Sequence, residues 1–599
     1  MEVDVNVRKK RSDVSKRKNE NKNLSFHIIK MKLNRFSKNE KFKNLLIKNV
    51  ANMNKIKSYA YHLINFHTLR CLDNGLELPD YNNQNFYYKC MAYVSRFQNR
   101  KETIDSNNEL VKSIMLFMNN IIEPPTKNYC GNLINNASIE MKTVVINHMV
   151  LNFPNRLKRY CLLKYGIKDI WHLVNNLFEG IVHYVPNKAE QEIKDFIYIS
   201  PKEDNIKQNL HHFLKLEYQI QKYFDTLELN TKGLRNFSIT PTKGSFVHSY
   251  MKICSSCLGD ILKSSNDSEL KKLGWRDLFN INAIETCNKS FHNEILTDGY
   301  GVSITLEKSL NIDIFEVDEC NKITCSCGYK ISKSGYKKHL DSQTHIRKIR
   351  TKKTIDDDCE EYERYVGIDP GINQIFTGVD DNNLFINCSS NEYRTKSKII
   401  DNLEWNKRQI KENPTIQTII NNLKSFKTVD INNYKEAFDT YNDNYNTMVE
   451  FYNNKPYKKW KFKTYCFSKK TISQMCKTIC KDKKTLVGYG DWSKNQGIIK
   501  KHPSTPNKKL REALARYKNC KVISVNEYRT SKECSKCKEA VYNIKDCNKK
   551  RCHQVVRCSN NECSMCWQRD KNASRNILRK LYSENLGRNP PEWLEVIAT

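Results

Sequence analysis

The chain has 599 residues with 39% hydrophobic and 10% aromatic side chains, enough for roughly three to five domains with apolar cores. Its formal net charge of +35 and pI of about 9.3 indicate a polyanionic partner, above all nucleic acid, although dispersed lysines from Asn- and Lys-rich coding give the same balance. No apolar run reaches about 18 residues, so no membrane span is predicted, and 23 cysteines without an apolar signal-peptide core favour zinc sites over disulfides.

The first segments of the chain are basic and then helical. Residues 1–23 are predicted to be a disordered basic arm, in which Arg8-Lys9-Lys10-Arg11 is either a nuclear-import signal or a contact for phosphates. We therefore expect a nuclear location if the chain is made in a eukaryotic cell. Residues 24–235 are mixed in pattern, mostly helical and basic.

A β-rich region is predicted next, at residues 236–318, because its first and last parts have strand composition. A helical piece between those parts carries Cys254-Ser-Ser-Cys257, with Cys287 and His292 downstream. These side chains are candidates for a zinc site, but no tight second pair of ligands exists. Structural cysteines are the preferred interpretation.

Residues 320–352 form a small module with its own metal-ligand spacing. Cys325 and Cys327 are followed after eleven residues by His339, and after five more by His345. Two thiolates on a hairpin and two imidazoles on a helix make a closed tetrahedral zinc site. The module is therefore predicted to be a Cys2His2-like zinc finger, with a first pair one residue tighter than usual.

The strand pattern restarts at Tyr362. The stretch YVGIDPGINQIFTGVDDNNLFINC, beginning at Tyr365, predicts three strands separated by two turns. Asp369 lies where the first strand ends and is followed at once by Pro-Gly. It is either an ordinary turn residue or a metal-binding carboxylate, depending on whether other acids lie nearby.

Five further elements are predicted downstream. Residues 400–480 are polar and helical, and residues 484–493 have the pattern of a buried strand. STPNKKLREALARYKN predicts a helix with Pro506 in its first turn. Residues 520–531 predict a fifth strand, and residues 569–587 a final helix.

A second cysteine pattern predicts a zinc ribbon. Two cysteine pairs, C-x2-C and C-x4-C, are separated by twenty residues. The four predicted ligands are Cys534, Cys537, Cys558 and Cys563. Cys566 is an alternative fourth ligand, because Cys563-x2-Cys566 is also a good knuckle, and Cys552 and His553 are weaker alternatives. With any of these ligand sets, bound zinc would stabilise a long loop that has little hydrophobic core of its own.

Two acids flank this ribbon. Glu527 ends the preceding strand, and Asp570 begins the final helix on the face that also carries Ala573 and Ile577. Together with Asp369 they make three carboxylates on a sheet and its packed helix. Such a set suits two Mg²⁺ ions, which in phosphodiester hydrolysis activate water and stabilise the leaving oxygen. The sequence therefore predicts a metal-dependent nuclease.

Four stretches in this part of the chain resemble, in order, the RuvC-like nuclease of TnpB proteins and, more closely, that of their eukaryotic and viral relatives, the Fanzor proteins. They are GIDPGINQIFTGV, GYGDWS, VNEYRTSKECSKC and CSNNECSMCWQRDKNASRNI. FHNEILTDGYGVSITL resembles the Fanzor stretch just before the nuclease. The resemblance covers about residues 235–583, and the N-terminal third matches by position only.

The resemblance implies an α/β multidomain chain. Its parts in order are a helical recognition lobe at 24–235, a β-rich wedge domain at 236–318, the zinc finger at 320–352, an RNase H-like (RuvC) nuclease with a helical insertion at 362–530, an inserted zinc ribbon at 531–568, the last nuclease helix at 569–583 and a tail at 584–599.

The resemblance also implies three catalytic acids that bind Mg²⁺. Asp369 matches the first acid of the family and Asp570 the third. The second acid of TnpB falls on Gly490, which has no side chain to bind metal. Fanzor proteins use instead a glutamate just before the ribbon, here Glu527, and Asp491 is the alternative.

The activity implied is that of an RNA-guided DNA endonuclease from a transposable element, which cuts DNA next to a short adjacent motif. A guide RNA and double-stranded DNA would be the partners, without a membrane, and a monomer is expected. Two Mg²⁺ ions are the implied catalytic cofactors, and the two ligand spacings described above predict two structural Zn²⁺ sites, of which the finger is an extra that not every relative has. Gln568 and Ser574 depart from the Asn and Ala more often found in the family, and neither is a metal ligand.

Two other functions stay open. One is a non-cleaving nucleic-acid-binding regulator with a decayed nuclease, against which the three retained acids argue. The other is a transposase or recombinase with an RNase H-like core, in which a zinc ribbon before the last acid is not expected.

Overall fold

A computed structural model of the chain describes residues 24–96, 108–118, 131–178, 184–228, 231, 234–286, 289–309, 322–324, 330–332, 361–491, 505–545 and 551–595. The predicted basic arm at residues 1–23 lies outside them, and so do the four predicted finger ligands, Cys325, Cys327, His339 and His345. The structure divides into two units, Met1–Leu310 with Ile410–Lys458 and Asn311–Gln409 with Lys459–Thr599.

The first unit is built mainly from helices. Those that precede its sheet region are α1 (Leu33–Phe36), α2 (Glu40–Asp73), α3 (Gln84–Arg96), α4 (Glu109–Met118), α5 (Gly131–Tyr165), α6 (Ile170–Phe178), α7 (Lys188–Ile197), α8 (Glu203–Gln208) and α9 (Leu210–Asp225). The Asn39 side chain caps α2 by accepting a hydrogen bond from the Phe42 backbone N–H at 2.9 Å. Every residue of α2 from Ile56 to Leu69 is buried, and α3, α4 and α5 all pack against this helix.

A four-stranded antiparallel sheet belongs to the same unit. Its strands are β1 (Leu24–Lys32), β2 (Met251–Cys254), β3 (Ser290–Thr297) and β4 (Gly301–Ser309), in the order β1-β4-β3-β2. The sequence analysis missed β1, which it placed in a helical region. β1 pairs with β4, with Leu24 opposite Ser309 and Lys32 opposite Gly301. Because the two strands are far apart in the sequence, their pairing leaves no pattern in the residues around β1.

Strand composition at residues 235–253 is the first of the two stretches on which the predicted β-rich region rests, and it is mostly misleading, because only its last residues form β2. Pro241 interrupts the run, and side chains of α2 satisfy part of its backbone instead. Asn65 Oδ1 accepts from the Thr240 N–H at 2.9 Å, and Asn54 Oδ1 accepts from the Ser249 N–H at 2.8 Å. Two helices, α10 (Ser255–Lys263) and α11 (Trp275–Leu278), follow β2.

The second unit is centred on a five-stranded mixed sheet. Inside the predicted finger, only the short antiparallel pair β5 (Lys322–Thr324) and β6 (Lys330–Ser332) is described. The main sheet consists of β7 (Arg364–Pro370), β8 (Gln374–Asp380), β9 (Phe385–Ser389), β10 (Thr485–Gly490) and β11 (Cys520–Val525). Its order is β11-β10-β7-β8-β9, with β10 parallel to β7 and β11, and β8 antiparallel to its two neighbours. The carboxyl ends of β7, β10 and β11 therefore meet at one edge.

The insertion between β9 and β10 is helical, as the sequence predicts. It contains α12 (Ser390–Lys396), α13 (Ile399–Lys411), α14 (Pro414–Asn422), α15 (Ile431–Asp443), α16 (Tyr445–Asn453) and α17 (Lys455–Cys480). The division between the units falls within α13 and α17, so α14, α15 and α16 count with the first unit. There Tyr434 on α15 contributes its hydroxyl to a 2.9 Å hydrogen bond with His62 Nδ1 on α2.

Helices cover both faces of the five-stranded sheet. On one face Val366 and Ile368 pack with Ile479 near the end of α17 and with α18 (Asn507–Leu514). On the other face Tyr365 packs with α19 (Arg569–Lys580). Alternation along β7 therefore directs Gly367 and Asp369 to the α19 side.

A three-stranded sheet lies between β11 and α19 in the chain, with the strands β12 (Val541–Lys545), β13 (Arg551–Cys558) and β14 (Cys566–Gln568). The described part of the predicted tail, which follows α19, is partly packed. Leu594 is buried, and the indole N–H of Trp593 donates to the Asp381 carbonyl at 2.7 Å. None of the described helices combines the length and the apolar character needed to cross a membrane.

Candidate metal-binding active site

Strand alternation and helix packing bring the three predicted acids to one cleft. On β7, Asp369 shares the α19 side of the sheet with Tyr365 and Gly367. On β11, Val525 packs on the same side of the sheet, and Glu527 lies two residues beyond it. Asp570 lies in the first turn of α19 itself. All three carboxylates line the same cleft.

The close approach of α19 to β7 depends on Gly367. A Cβ at this position would lie 2.5 Å from the backbone nitrogen of Leu578 and 2.6 Å from the carbonyl oxygen of Ser574. The helix backbone therefore rests directly on the strand, with no side chain between them. Ser574 is one helical turn beyond Asp570, so this contact holds the start of α19 beside the end of β7.

The carboxyl of Asp369 is in an environment that disfavours its charge. Burial raises its pKa well above the ordinary value, and the negative charges of Glu527 and Asp570 raise it further, against a smaller opposing effect of Arg569. Carboxylates that share one cleft repel one another, and a bound divalent cation relieves that repulsion. The electrostatics of the cleft therefore fit a cation site.

Glu527 reaches the cleft over Gly490, the last residue of β10. A Cβ added at Gly490 would lie 2.7 Å from Cδ of Glu527 and closer still to its Oε1. The glutamate thus occupies the place beside Asp369 that a side chain on residue 490 would take. Asp491 lines the cleft as well, and its Oδ1 accepts a 3.3 Å hydrogen bond from the Glu527 backbone N–H.

Asp570 is positioned by the N-terminus of α19. The Gln568 side chain caps the helix by accepting from the Lys571 backbone N–H at 2.7 Å, so the departure from Asn at this position keeps the cap. A carboxylate in the first turn is favoured by the partial positive charge of the helix N-terminus. Arg569 brings a cation to the rim of the same cleft.

The donor atoms suit a hard metal ion. The cleft has a volume of about 620 Å³ and is lined by acidic, amide and hydroxyl side chains, with no histidine or cysteine among its described lining residues. Mg²⁺ prefers oxygen ligands and keeps several waters, so three or four carboxylates in a roomy cleft satisfy it.

A cysteine cluster is placed so that it can hold a metal ion. Its ligand atoms, from Cys534, Cys537, Cys558 and Cys563, all lie within 4.8 Å of one another. The sulfurs of Cys537 and Cys558 are 3.4 Å apart, and those of Cys534 and Cys563 are 3.8 Å apart. Four sulfurs in a compact group suit tetrahedral zinc. The alternative Cys566 is exposed on β14 and lies outside the cluster.

An indole group supports one sulfur of this cluster. The Trp567 Nε1–H donates to Cys534 Sγ at 3.1 Å. Burial alone would raise the pKa of the Cys534 thiol, but hydrogen bonds from backbone N–H groups and from Trp567 outweigh it and lower the pKa to about 7. Cys534 therefore carries more thiolate at neutral pH than an ordinary cysteine, which is the form that binds metal.

Two buried asparagines, which the sequence analysis did not single out, connect the cysteine cluster to the acids. Asn572 Oδ1 accepts from the Ser535 N–H at 2.8 Å, and its Nδ2 donates to the Glu533 carbonyl at 2.7 Å. Asn576 Nδ2 donates to the carbonyls of Thr530 and Glu533 at 2.8 and 2.9 Å. The segment between Glu527 and the first cysteines is thereby fixed to α19. In the sequence, two asparagines four residues apart on the apolar face of a predicted helix are the feature that could have indicated this link.

The two sites define a mixed α/β chain with a carboxylate cleft on its central sheet and a cysteine cluster beside the last helix. Residues 508–577 match the family model described as Cas12f1-like, TNB domain, and this span includes Glu527, the four clustered cysteines and Asp570. The sequence predicts a relative of TnpB proteins, and the match supports this at the level of a TnpB- and Cas12-like family. The narrower assignment to Fanzor remains a prediction.

One solved structure with similarity to the chain is described as the cryo-EM structure of the Cas12f1-sgRNA-target DNA complex. It is 11% identical, covers 93% of this chain and 99% of its own, and gives a TM-score of 0.27. No curated protein matches the chain significantly.

Proposed function

We propose that this chain is an RNA-guided DNA endonuclease that hydrolyses phosphodiesters with two Mg²⁺ ions held by Asp369, Glu527 and Asp570. The observation that carries the proposal is the convergence of these three carboxylates on one cleft beside the cysteine cluster. The match of residues 508–577 to a Cas12f1-like domain supports the same assignment.

The order of the central sheet supports an RNase H-like nuclease of the RuvC type. Three antiparallel strands, β9, β8 and β7, are followed by the parallel strands β10 and β11 on the far side of β7. The first acid then lies at the carboxyl end of the middle strand, where the neighbouring parallel strands also end. The cysteine cluster would be a zinc ribbon inserted before the helix that carries the last acid.

The metal ions, when bound, would activate the attacking water and stabilise the leaving oxygen. Asp369 and Asp570 would hold them from β7 and α19, and Glu527 would hold them from the loop after β11. Asp491 would position Glu527 through its backbone N–H. Arg569, on the rim, is placed to bind a non-bridging phosphate oxygen of the strand to be cut.

A basic aromatic surface on α17 is suited to a nucleic-acid backbone. Between Lys459 and Lys470 this helix carries no fully buried residue, and the ammonium of Lys463 lies 4.3 Å from the ring centre of Trp460. Trp460 also lies 6.0 Å from Trp405 on α13, a helix without buried residues among those described. Trp405 and Trp460 are both partly exposed, and in such a surface lysines bind phosphates while aromatic rings stack on bases. The chain as a whole has a net charge of +35, and we take this surface as the candidate for one wall of a basic channel that holds an RNA–DNA hybrid.

The first experiment is to express the chain with its native downstream flank, purify it in moderate salt and sequence the nucleic acid that co-purifies. One discrete RNA with a structured scaffold and a variable end would support the guide model, and DNA targets designed from it should be cut in the presence of Mg²⁺. A heterogeneous mixture would contradict RNA guidance and favour a regulator or transposase. Strand-transfer products in place of simple cuts would identify the transposase.

The matched variants are Asp369→Ala and Asp195→Ala. The first removes a proposed metal ligand and should abolish cleavage while the affinity for RNA and DNA is kept. The second removes an exposed acid on α7, which accepts a 2.7 Å hydrogen bond from the Gln191 side chain outside the cleft, and should cut normally. Normal cutting by Asp369→Ala would refute the site.

A further inference from the structure

The first unit contains a pair of cysteines at a strand–helix junction that the proposed nuclease does not use. β2 ends at Cys254, and α10 begins at the next residue, so Cys257 lies in the first turn of the helix. The two sulfurs are 3.5 Å apart. This is van der Waals contact, and a small side-chain rotation would bring them to the length of a disulfide bond, about 2.05 Å.

The two thiols differ in exposure and in acidity. Cys254 is partly exposed, whereas Cys257 is fully buried. Partial burial by itself would raise the pKa of Cys254, but hydrogen bonds, led by that of the Ser256 hydroxyl, outweigh it and lower the pKa to about 7. Burial raises the pKa of Cys257 to about 12. The accessible sulfur is therefore the one with thiolate character.

Polar groups from two helices surround this pair. The Ser256 hydroxyl lies 3.1 Å from Cys254 Sγ. From α5, the Asn136 amide nitrogen donates to Cys257 Sγ at 3.0 Å and lies 3.5 Å from Cys254 Sγ. The Asn136 amide thus contacts both sulfurs, so it can donate a hydrogen bond to whichever of the two is the thiolate.

The other described cysteines of the first unit lack these features. Cys71, Cys90 and Cys161 are all buried. Burial raises the pKa of Cys71 to about 11 and that of Cys161 to about 12. Buried thiols of this kind are unreactive, so the exposed and acidic thiol at Cys254 is a local property of the junction.

A metal site is the competing interpretation, and it lacks further ligands. Among the described residues, no third His, Cys, Asp or Glu ligand atom lies within 4.8 Å of both sulfurs. Of the two other side chains considered from the sequence, Cys287 lies outside the described residues, and His292 Nδ1 is 2.9 Å from Glu307 Oε2.

We propose that Cys254 and Cys257 form a thiol–disulfide exchange site whose substrates are low-molecular-weight disulfides such as glutathione disulfide. The Cys254 thiolate attacks one sulfur of the small disulfide, forms a mixed disulfide and releases one thiolate. Cys257 gives up its proton, attacks Cys254 Sγ and expels the second small thiolate, and the two released thiolates are protonated. One small disulfide is reduced to two thiols while the two cysteines are oxidised to one disulfide, so no other oxidant is required.

The test uses the full-length protein, purified reduced with its zinc and nucleic acid, and glutathione disulfide at about pH 7. After quenching with acid and alkylation, trypsin cuts behind Lys252 and Lys263 and releases both sulfurs in the peptide 253–263. The expected product is this peptide with two hydrogens fewer. At the pH of its pKa Cys254 is half thiolate, roughly 16 times the thiolate fraction of an ordinary thiol of pKa about 8.5, and its lower intrinsic nucleophilicity offsets roughly fivefold of this, so it should react roughly threefold faster.

Two variants separate the roles. Cys257→Ser should stop the reaction at a glutathione mixed disulfide on Cys254, and Cys254→Ser should slow modification of Cys257 at least about tenfold. Cys161→Ser is the matched control and should form the disulfide at the wild-type rate.

Three outcomes would overturn the proposal. The first is a wild-type peptide that stays a dithiol while the exposed Cys466 in the same sample is glutathionylated. The second is equal modification of Cys257 with and without Cys254. The third is a loss of bound zinc in Cys254→Ser, which would establish a metal site instead. None of these outcomes depends on cleavage, so the nuclease proposal stands or falls separately.

Discussion

Glu527 fills the space that a side chain on Gly490 would need. A Cβ on Gly490 would lie 2.7 Å from Cδ of Glu527 and 2.9 Å from Cδ of Pro370. β10 and β11 are parallel, with Gly490 opposite Val525, so the chain after β11 crosses the end of β10 as it leaves the sheet. The absence of a side chain at the end of one strand thus lets a carboxylate from the neighbouring strand enter the cleft.

The first prediction is that Gly490→Ala displaces Glu527 and reduces cleavage strongly without unfolding the protein. The new methyl group meets both a carboxylate and a proline ring, and Glu527 is the more mobile of the two. Cleavage at saturating DNA measures the effect. Gly259→Ala is the control, because an added Cβ there meets no atom within 4 Å, and it should cut normally. Full activity of Gly490→Ala would mean that Glu527 need not occupy this place.

A second prediction separates Glu527 from Asp491. Glu527→Gln keeps the size of the side chain but removes its charge, so Mg²⁺-dependent cleavage should be lost as completely as in Asp369→Ala. Asp491→Asn should retain substantial activity, because an amide oxygen still accepts the hydrogen bond from the Glu527 backbone N–H. The reverse result, an inactive Asp491→Asn with an active Glu527→Gln, would make Asp491 the second acid.

The third prediction concerns the fourth ligand of the cysteine cluster. Cys563→Ser should lower the zinc content by one ion per chain and destabilise the ribbon, because three sulfurs leave a structural site open. Cys566→Ser, three residues away on the exposed side of β14, should keep its zinc. Elemental analysis of the two purified variants decides between them. Zinc loss from Cys566→Ser alone would move the site to the alternative knuckle.

Local pattern carried much of the second unit. Strand composition and turn residues identified the five strands of its sheet and placed Asp369 at the end of the first of them, and cysteine spacing identified the four clustered sulfurs. Spacing alone could not choose between Cys563 and Cys566, because both make a good knuckle and only the fold of β14 turns one outward. The position of Glu527 just before the ribbon made it a candidate, but preferring it to Asp491 as the second acid required a family resemblance, since the residues do not show that β11 ends beside Gly490.

What the sequence missed depends on distant contacts. β1 pairs with a strand near residue 305, and the segment before β2 bonds to asparagine side chains on α2 in place of a neighbouring strand. Such pairings are fixed by tertiary structure and have no period along the chain.

The fourth prediction is that Asn576→Leu loosens the link between the cysteine cluster and α19. The change leaves the Thr530 carbonyl without this donor in a buried place, whereas the Glu533 carbonyl keeps its hydrogen bond from Asn572, so the expected cost is about 1–3 kcal/mol in the free energy of unfolding. Urea unfolding measures that loss, and reduced cleavage should accompany it because Glu527 lies just before the released segment. Asn387→Ala, at an exposed position of β9, should change neither quantity. Wild-type stability in Asn576→Leu would show that the link contributes nothing.

The last prediction concerns acid sensitivity of the first unit. His62 is fully buried on α2, and this burial lowers its pKa to about 3, against a smaller opposing effect of the Lys243 carbonyl. In the unfolded chain the imidazole takes up a proton near pH 6.5. Between about pH 6.5 and 3 the unfolded state therefore binds more protons, so the stability supplied by the neutral His62 is complete above that window and is lost as the pH falls. The slope is about 1.4 kcal/mol per pH unit for one group.

The measurement is urea unfolding at about pH 7 and pH 5 on wild type, His62→Gln and Tyr434→Phe. His67 and His148, whose pKa values burial also lowers to about 4, act in the same direction, whereas buried Glu217, with a pKa raised to about 7, acts in the opposite direction. Comparing variants removes these shared contributions. His62→Gln should lose about 2 kcal/mol less than wild type between the two pH values, because glutamine has no proton to gain. Tyr434→Phe removes the hydroxyl partner but keeps the imidazole buried, so it should retain the wild-type pH dependence. An unchanged slope in His62→Gln would mean that the imidazole is protonated in the folded protein.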